Sequence, residues 1–174
     1  MRETLVLLSA LFAAGLSFAS EPPAATVEAQ VWFSPAGGAR DAILESIAGA
    51  KKEILVGAYK LEDGIVAGAL VRAKERGVAV SVLMDKKKSR YKKSQKSRLV
   101  ERGIPVYADG AHFLYHNKVI VIDRNVVLTG SFNFKADAET SNAENLLRLR
   151  SPEFARKYVE DWQKHRGHAI EIKR

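Results

Sequence analysis

The chain has 174 residues, 47% of them hydrophobic, and a formal net charge of +8. Because it contains no cysteine, disulfides and thiolate metal sites are excluded. The excess of positive charge favours a polyanionic partner. The length is sufficient for one domain with a proper core.

The first residues are typical of a secretory signal. Arg2 stands near the start, an apolar run covers Leu5–Leu16, and Ser17-Phe18-Ala19 has the small-x-small pattern of a cleavage site. The run is short for a membrane-spanning helix, although Glu3 leaves an uncleaved anchor as the alternative. We expect a periplasmic or secreted protein without stable membrane insertion after cleavage, divided into a signal peptide (1–19), a flexible lead-in (20–30) and one domain (31–174).

Strand and helix patterns alternate along this domain. Apolar β-rich segments predict strands at 30–33, 53–59, 78–84, 104–107 and 146–149. Helical patterns are found at 39–50, at 64–76 before Gly77, up to about 102, and from Pro152 onward. This alternation predicts an α/β fold with a mixed, largely parallel β-sheet flanked by helices on both faces.

A hairpin near the middle of the chain carries the most informative residues. Two β-branched strands, 119–122 and 126–129, enclose the polar turn Asp123-Arg124-Asn125. His116 and Lys118 are two residues apart, so they should project from the same face. If Arg124-Asn125 forms a two-residue turn, Lys118 lies opposite Ser131 and His116 opposite Asn133.

These residue types suit the chemistry of a phosphate diester. A neutral imidazole attacks phosphorus or moves a proton near pH 7, while ammonium, hydroxyl and amide donors stabilise charge on the non-bridging oxygens. Asp123 would lie about 17 Å from Lys118 along an extended strand. We therefore interpret Asp123 as a structural turn residue.

The segment from His116 to Asp123 resembles the H-x-K-x4-D motif of the phospholipase D superfamily, and Gly130-Ser131-Phe132-Asn133 resembles its G-S-x-N segment. The resemblance runs from about 31 to 162 and implies an α/β/α sandwich. It also implies that Glu144 orients the catalytic histidine. Leu61 stands at a strand-end position where relatives commonly carry an aromatic residue. We expect this difference to alter the wall of the pocket and to leave the chemistry unchanged.

The domain contains one H-x-K motif, whereas larger relatives carry two that build one active site. The resemblance therefore implies a symmetric homodimer in which one histidine attacks phosphorus and the other protonates the leaving oxygen. No cofactor or metal is expected. His112, His165 and His168 are interpreted as surface or structural residues, because their spacing carries no zinc signature.

A basic segment follows the predicted strand at 78–84. Between residues 86 and 98 the chain has no acidic residue, and Tyr91 is placed to stack on an unpaired base. We predict that this segment binds nucleic-acid phosphates, although a solvated surface or a site for anionic lipid headgroups would have the same composition. The predicted cations are Lys86, Lys87, Lys88, Arg90, Lys92, Lys93, Lys96 and Arg98.

Three functions fit these features. The first is an exported, metal-independent, non-specific endonuclease that cleaves DNA, with RNA as a further substrate, through a phosphohistidine; it resembles the small single-motif endonucleases of the superfamily. The second is a phospholipid hydrolase, which the absence of an evident apolar loop or exposed aromatic cluster disfavours. The third is a non-catalytic protein that binds nucleic acid or an anionic surface.

Overall fold

The computed structural model describes residues 27–174. The predicted signal peptide and most of the lead-in lie outside the described residues. The first strand begins at Glu28, so the last residues predicted as lead-in already belong to the sheet. None of the helices in residues 27–174 has both the length and the apolar character that crossing a membrane requires.

The described residues form eight strands and six helices. Most bounds lie within about two residues of the prediction, while the short α3, α5 and β8 were not predicted. In chain order the elements are β1 (Glu28–Ser34), α1 (Ala39–Gly49), β2 (Glu53–Ala58), α2 (Gly64–Glu75), β3 (Ala79–Asp85), α3 (Lys86–Ser89), α4 (Lys96–Glu101), β4 (Val106–Asp109), β5 (Lys118–Ile122), β6 (Val126–Gly130), α5 (Ala136–Thr140), β7 (Glu144–Arg150), α6 (Pro152–His168) and β8 (Ile170–Glu171).

The strands form one mixed sheet in the order β1-β7-β6-β5-β2-β3-β4-β8. This confirms the α/β class with helices on both faces, but parallel pairing is confined to β2-β3 and β3-β4. The other neighbours pair antiparallel. The expected "largely parallel" character is therefore wrong, because only the first half of the chain has helical crossovers between neighbouring strands.

Two apolar cores lie on the two faces of the sheet. Alternating residues of β2 divide between them, with Ile54 and Val56 on the side of α1 and α2 and Leu55 on the side of α6. Trp162 of α6 is buried in the second core and donates its indole N–H to the Val56 carbonyl at 3.0 Å. The sheet is thus held rigidly on both faces, which fixes the positions of its strand ends.

The register of the β5–β6 hairpin differs from the prediction. Ile122 pairs with Val126, which leaves Asp123, Arg124 and Asn125 in a three-residue turn. Asp123 and Arg124 have positive φ angles of 51° and 53°. Lys118 therefore lies level with Gly130 rather than with Ser131, because one extra turn residue shifts the pairing by one.

Asp123 has a structural role, as predicted, with contacts that reach beyond its own turn. Its carboxylate accepts backbone N–H bonds from Lys51, Lys52 and Glu53 at 2.8, 2.7 and 2.9 Å. Burial opposes ionisation, but these donors lower the pKa of Asp123 below its usual value. The motif aspartate thus joins the hairpin to the start of β2.

Candidate active site

The predicted catalytic residues gather at one end of the sheet. The carboxyl ends of β2, β3 and β6 and the amino ends of β5 and β7 meet there because the two groups of strands run in opposite directions. This end presents Tyr59 after β2, Lys118 at the start of β5 and Glu144 at the start of β7. A convergence of strand termini of this kind is where α/β sheets place ligands.

Lys118 and His116 form the centre of the site. The Lys118 ammonium lies 3.1 Å from His116 Nδ1 and 3.3 Å from Nε2, and donates to the His116 backbone carbonyl at 2.7 Å. Lys118 is only 8% exposed, whereas the His116 ring is open to solvent. The buried Lys118 ammonium thus contacts the solvent-exposed imidazole of His116.

This arrangement favours the neutral form of the imidazole. Desolvation and then the adjacent Lys118 ammonium lower the pKa of His116 below its usual 6.5, while Asp85 acts in the opposite direction. Desolvation also lowers the pKa of Lys118 from its usual 10.5, against an opposing effect of Glu144. A neutral imidazole has the free ring nitrogen that nucleophilic attack requires.

Tyr59 was not predicted as a site residue, yet it lies against the central pair. Its ring centroid is 4.3 Å from that of His116, and the Lys118 ammonium lies 5.2 Å from it. Lys88 of the basic segment approaches the same ring at 5.3 Å. Tyr59 therefore connects the catalytic pair with the basic segment.

Ser131 and Asn133 are positioned by the aromatic residues between and after them. Phe132 and Phe134 are each 1% exposed and anchor the segment in the core. Ser131 Oγ accepts the backbone N–H of Asn145 at 3.0 Å, which leaves its hydroxyl proton free to donate. The carboxamide oxygen of Asn133 is buried without a hydrogen-bond partner among the described residues.

Glu144 lies at the site but makes a different contact from the expected one. Its Oε1 accepts a hydrogen bond from Asn142 at 2.9 Å, and its charge opposes the lowering of the Lys118 pKa by desolvation. Among residues 27–174 no hydrogen bond joins Glu144 to His116, so the orienting contact predicted from the resemblance is not made within this chain. Here the carboxylate acts on the lysine.

Asp85 is a further residue that the sequence analysis did not assign to the site. It is 1% exposed, and its two oxygens accept the backbone N–H groups of Lys88 at 2.8 Å and Tyr115 at 3.0 Å. It thereby fixes both α3 and the segment that leads into His116. An aspartate at the carboxyl end of a buried strand, just before a helix, is a capping signal that could have identified it.

The basic segment is divided between different surfaces. Tyr91, Lys92 and Lys93 line an open groove near the active-site end of the sheet. Its other lining residues are the cations Lys60 and Lys135 and the acidic residues Glu62 and Asp137. Lys88 points back toward Tyr59, and its ammonium contacts the Tyr91 hydroxyl at 2.6 Å. The rest of the set lies elsewhere: Lys87 over the Phe113 ring, Arg98 bonded to the Gly64 carbonyl, and Lys86, Arg90 and Lys96 beside Ala108, Ile170 and Ile172.

His112, His165 and His168, interpreted from the sequence as surface or structural residues, are brought together by the fold. All three rings face the carboxylate of Asp109. His165 and His168 share the end of α6, a spacing visible in the sequence. Their convergence with Asp109 was not visible, because more than fifty residues separate the two pairs along the chain.

Comparison with known proteins agrees with this geometry. The family described as "Cardiolipin synthase, PLD-like domain" matches residues 43–166. The phospholipase D family member Nuc from Salmonella typhimurium is 34% identical with a TM-score of 0.82, covering 86% of this chain and 100% of that one. NucT from Helicobacter pylori, at 21% identity and a TM-score of 0.78, shares the fold over 84% of this chain and 100% of its own.

A curated relative, the phospholipase D of Rickettsia bellii, is 38% identical over 130 residues, which are 75% of this chain. The match spans 65% of that relative, less than two thirds of its length. The fold and the histidine–lysine centre place the chain in the class of phospholipase D-like α/β proteins. The chain belongs to the phospholipase D superfamily, because the family match covers most of the chain.

The electrostatics of the central pair predict the titration of His116. We expect its pKa, measured by NMR of the ring protons, to lie below 6.5, because desolvation and the neighbouring ammonium both disfavour imidazolium. In Lys118→Met the pKa should move upward, since the positive neighbour is gone. Lys164→Met, an exposed lysine on α6, is the matched control and should leave the His116 titration unchanged. A wild-type pKa above 6.5 that Lys118→Met does not alter would contradict this electrostatic account.

Proposed function

We propose that the protein is an exported endonuclease that hydrolyses nucleic-acid phosphodiesters without a metal ion in the chemical step and with little sequence preference. The observation that carries this proposal is the contact between the exposed His116 imidazole and the buried Lys118 ammonium. A lysine-rich groove lies beside this pair. The pair supplies a nucleophile and a fixed cation, and the groove supplies sites for flanking phosphates. DNA is the proposed substrate, and RNA backbones fit the same chemistry.

In the proposed reaction a ring nitrogen of His116 attacks phosphorus and the bond to one ester oxygen breaks. The leaving oxygen takes a proton from a second, protonated histidine. Water then attacks the phosphohistidine, its proton passes to the second histidine, and the phosphorus–nitrogen bond breaks. The Lys118 ammonium, the Ser131 hydroxyl and the Asn133 side-chain amide stabilise charge on the non-bridging oxygens.

The second histidine is proposed to be His116 of the partner subunit in a homodimer. The sequence contains a single H-x-K motif, and the other three histidines face Asp109 rather than the proposed centre. A two-fold axis near the exposed imidazole would bring two identical sites to one phosphate. The similarity to Nuc, which this chain covers completely, supports a single-motif unit of this size.

Hydrolysis of a phospholipid is the second candidate, and one observation favours it. Phe113 is 82% exposed and Leu114 37% exposed in the segment just before His116, with the Lys87 ammonium 4.4 Å from the Phe113 ring. An apolar tip beside a cation suits a membrane surface with anionic headgroups, and the sequence analysis did not identify this tip. The name of the Rickettsia bellii relative points the same way. Phe113 and Leu114 are not among the residues that line the lysine-rich groove, which is why nucleic acid is preferred.

A non-catalytic binding protein is disfavoured because all the residues of the motif are present and His116 and Lys118 are in contact. Export rests on the signal-like first residues, which lie outside the described part of the chain, and stays a proposal.

Cleavage assays distinguish these functions. Purified protein at 25 °C should nick plasmid DNA in excess EDTA, and His116→Ala and Lys118→Ala should lower the rate on the order of 10³-fold, since each removes a group that contacts the phosphate. Lys164→Ala is the control for removal of a lysine and should cleave normally. Headgroup release from cardiolipin or phosphatidylcholine vesicles, without DNA cleavage, would move the function to lipid hydrolysis. Inactivity on both substrates would overturn the enzymatic proposal.

The division of the basic segment predicts a localised effect on DNA binding. Replacing Lys88, Lys92 and Lys93 by Gln should reduce the slope of log affinity against log salt by about one for each phosphate that no longer has a lysine partner. Replacing Lys86, Arg90 and Lys96 by Gln removes the same charge from a surface beside Ala108 and Ile170 and should change the slope less. Equal effects of the two triple variants, measured by fluorescence anisotropy, would show that net charge rather than the groove determines binding.

A further inference from the structure

Three histidines and one buried aspartate form a cluster that the proposed reaction does not use. The cluster consists of Asp109, at the end of β4, His112 in the following segment, and His165 and His168 at the end of α6. One ligand atom from each residue can be chosen so that all four lie within 4.8 Å of one another. We propose that this cluster binds one divalent transition-metal ion of the zinc class and that the ion has a structural role.

The distances around Asp109 are close to those of a tetrahedral zinc site. Asp109 Oδ2 lies 3.0 Å from His112 Nδ1, 3.4 Å from His165 Nδ1 and 3.3 Å from His168 Nε2. Ligands placed about 2.05 Å from zinc at tetrahedral angles are roughly 3.3 Å apart. Three edges of the tetrahedron are therefore already formed, and only the imidazoles must move closer to one another.

The hydrogen bonds of Asp109 leave one oxygen for an ion. Its Oδ1 accepts the backbone N–H groups of Ala111 at 2.9 Å and His112 at 3.3 Å and lies 3.2 Å from His112 Nδ1, which is nearer to Oδ2, and the side chain is fully buried. Oδ2 faces three ring nitrogens. Its two lone pairs cannot accept an N–H from each of the three. His165 Nδ1 is buried and makes no hydrogen bond. A cation between the four atoms would satisfy all of them.

A second carboxylate orients one of the proposed ligands. His165 Nε2 lies 3.3 Å from Asp161 Oδ1, one helical turn earlier on α6. An imidazole that donates one N–H to a carboxylate presents the lone pair of its other nitrogen, and metal-binding histidines are commonly held in this way. His165 would thus present Nδ1 toward Asp109 Oδ2 and the proposed ion.

The backbone brings the ligands together without the ion. β8 pairs with β4 so that Ile170 lies opposite Ala108, which places the residues just before β8 beside Asp109. The Tyr115 ring packs against His165 with centroids 5.3 Å apart. The ion would therefore fasten the 110–115 segment, which leads directly into His116, to the end of α6. Four protein ligands leave no open position, as is usual for structural zinc.

This inference is independent of the proposed function, because the four ligands exclude His116 and Lys118 and the test does not measure cleavage. The competing interpretation is a metal-free network in which the histidines share hydrogen bonds to Asp109. Both interpretations predict a folded protein, and they differ in whether zinc binds with a defined stoichiometry.

The test is calorimetric titration of ZnCl2 into full, purified protein that has been stripped with EDTA and then freed of chelator. Wild type should bind one zinc per chain, and His112→Gln and His168→Gln should each weaken binding at least tenfold. Asp161→Ala should weaken it roughly 10-fold to 100-fold by loosening His165. His116→Gln removes the one histidine outside the cluster and should bind zinc like wild type.

Two further measurements guard against misfolded variants and surface binding. Circular dichroism should show that each variant keeps the fold, and cobalt(II) added to wild type should give the visible absorption of a tetrahedral site, absent in His168→Gln. Zinc should raise the Tm of wild type more than that of His168→Gln. No stoichiometric zinc binding by wild type, or equal affinities for His116→Gln and His168→Gln, would overturn the proposal in favour of the metal-free network.

Discussion

The proposed chemistry depends on one buried cation. An ammonium with little contact to water is stable only if its hydrogen bonds are made by the protein. The Lys118 ammonium donates one to the backbone carbonyl of His116 and lies against both ring nitrogens of the same residue. The interaction therefore positions the imidazole and biases it toward the neutral form at the same time. The nucleophile and the cation that would stabilise the attacked phosphate are thus one unit, held together before any substrate arrives.

The sheet provides the rigidity that this unit needs. Cores on both faces hold β2 and β5, and the antiparallel pairing of Ala58 with Lys118 sets the lysine beside the end of β2, where Tyr59 continues the chain. Asp85 ties Lys88 and Tyr115 to the end of β3. Asp123, at the far end of the hairpin, ties β5 to the start of β2. Carboxylates thus fix the backbone at both ends of these strands, and the proposed catalytic residues lie at or next to the ends of anchored strands.

The residues predicted from sequence and those missed differ in how far their partners lie along the chain. The hairpin strands, the contact of His116 with Lys118 and the structural role of Asp123 follow from local spacing, so they were predictable. The hairpin register was wrong because positive φ angles at Asp123 and Arg124 allow a three-residue turn that residue type does not signal. The contact of Asp85 with Tyr115 and the convergence of His112 with His165 and His168 depend on tertiary placement. The basic segment was correctly seen as cationic, but only the fold divides it between the groove and the β4–β8 side.

The central claim is that His116 becomes covalently bonded to phosphorus during turnover. It is tested most directly by acid-free quenching of the protein during cleavage of a labelled oligonucleotide, followed by mass spectrometry of the peptide that contains His116. The account predicts a DNA fragment attached to His116 through an acid-labile, base-stable phosphoramidate bond, absent from His116→Ala. Full cleavage activity with no adduct at any time point, or an adduct on another residue, would contradict it.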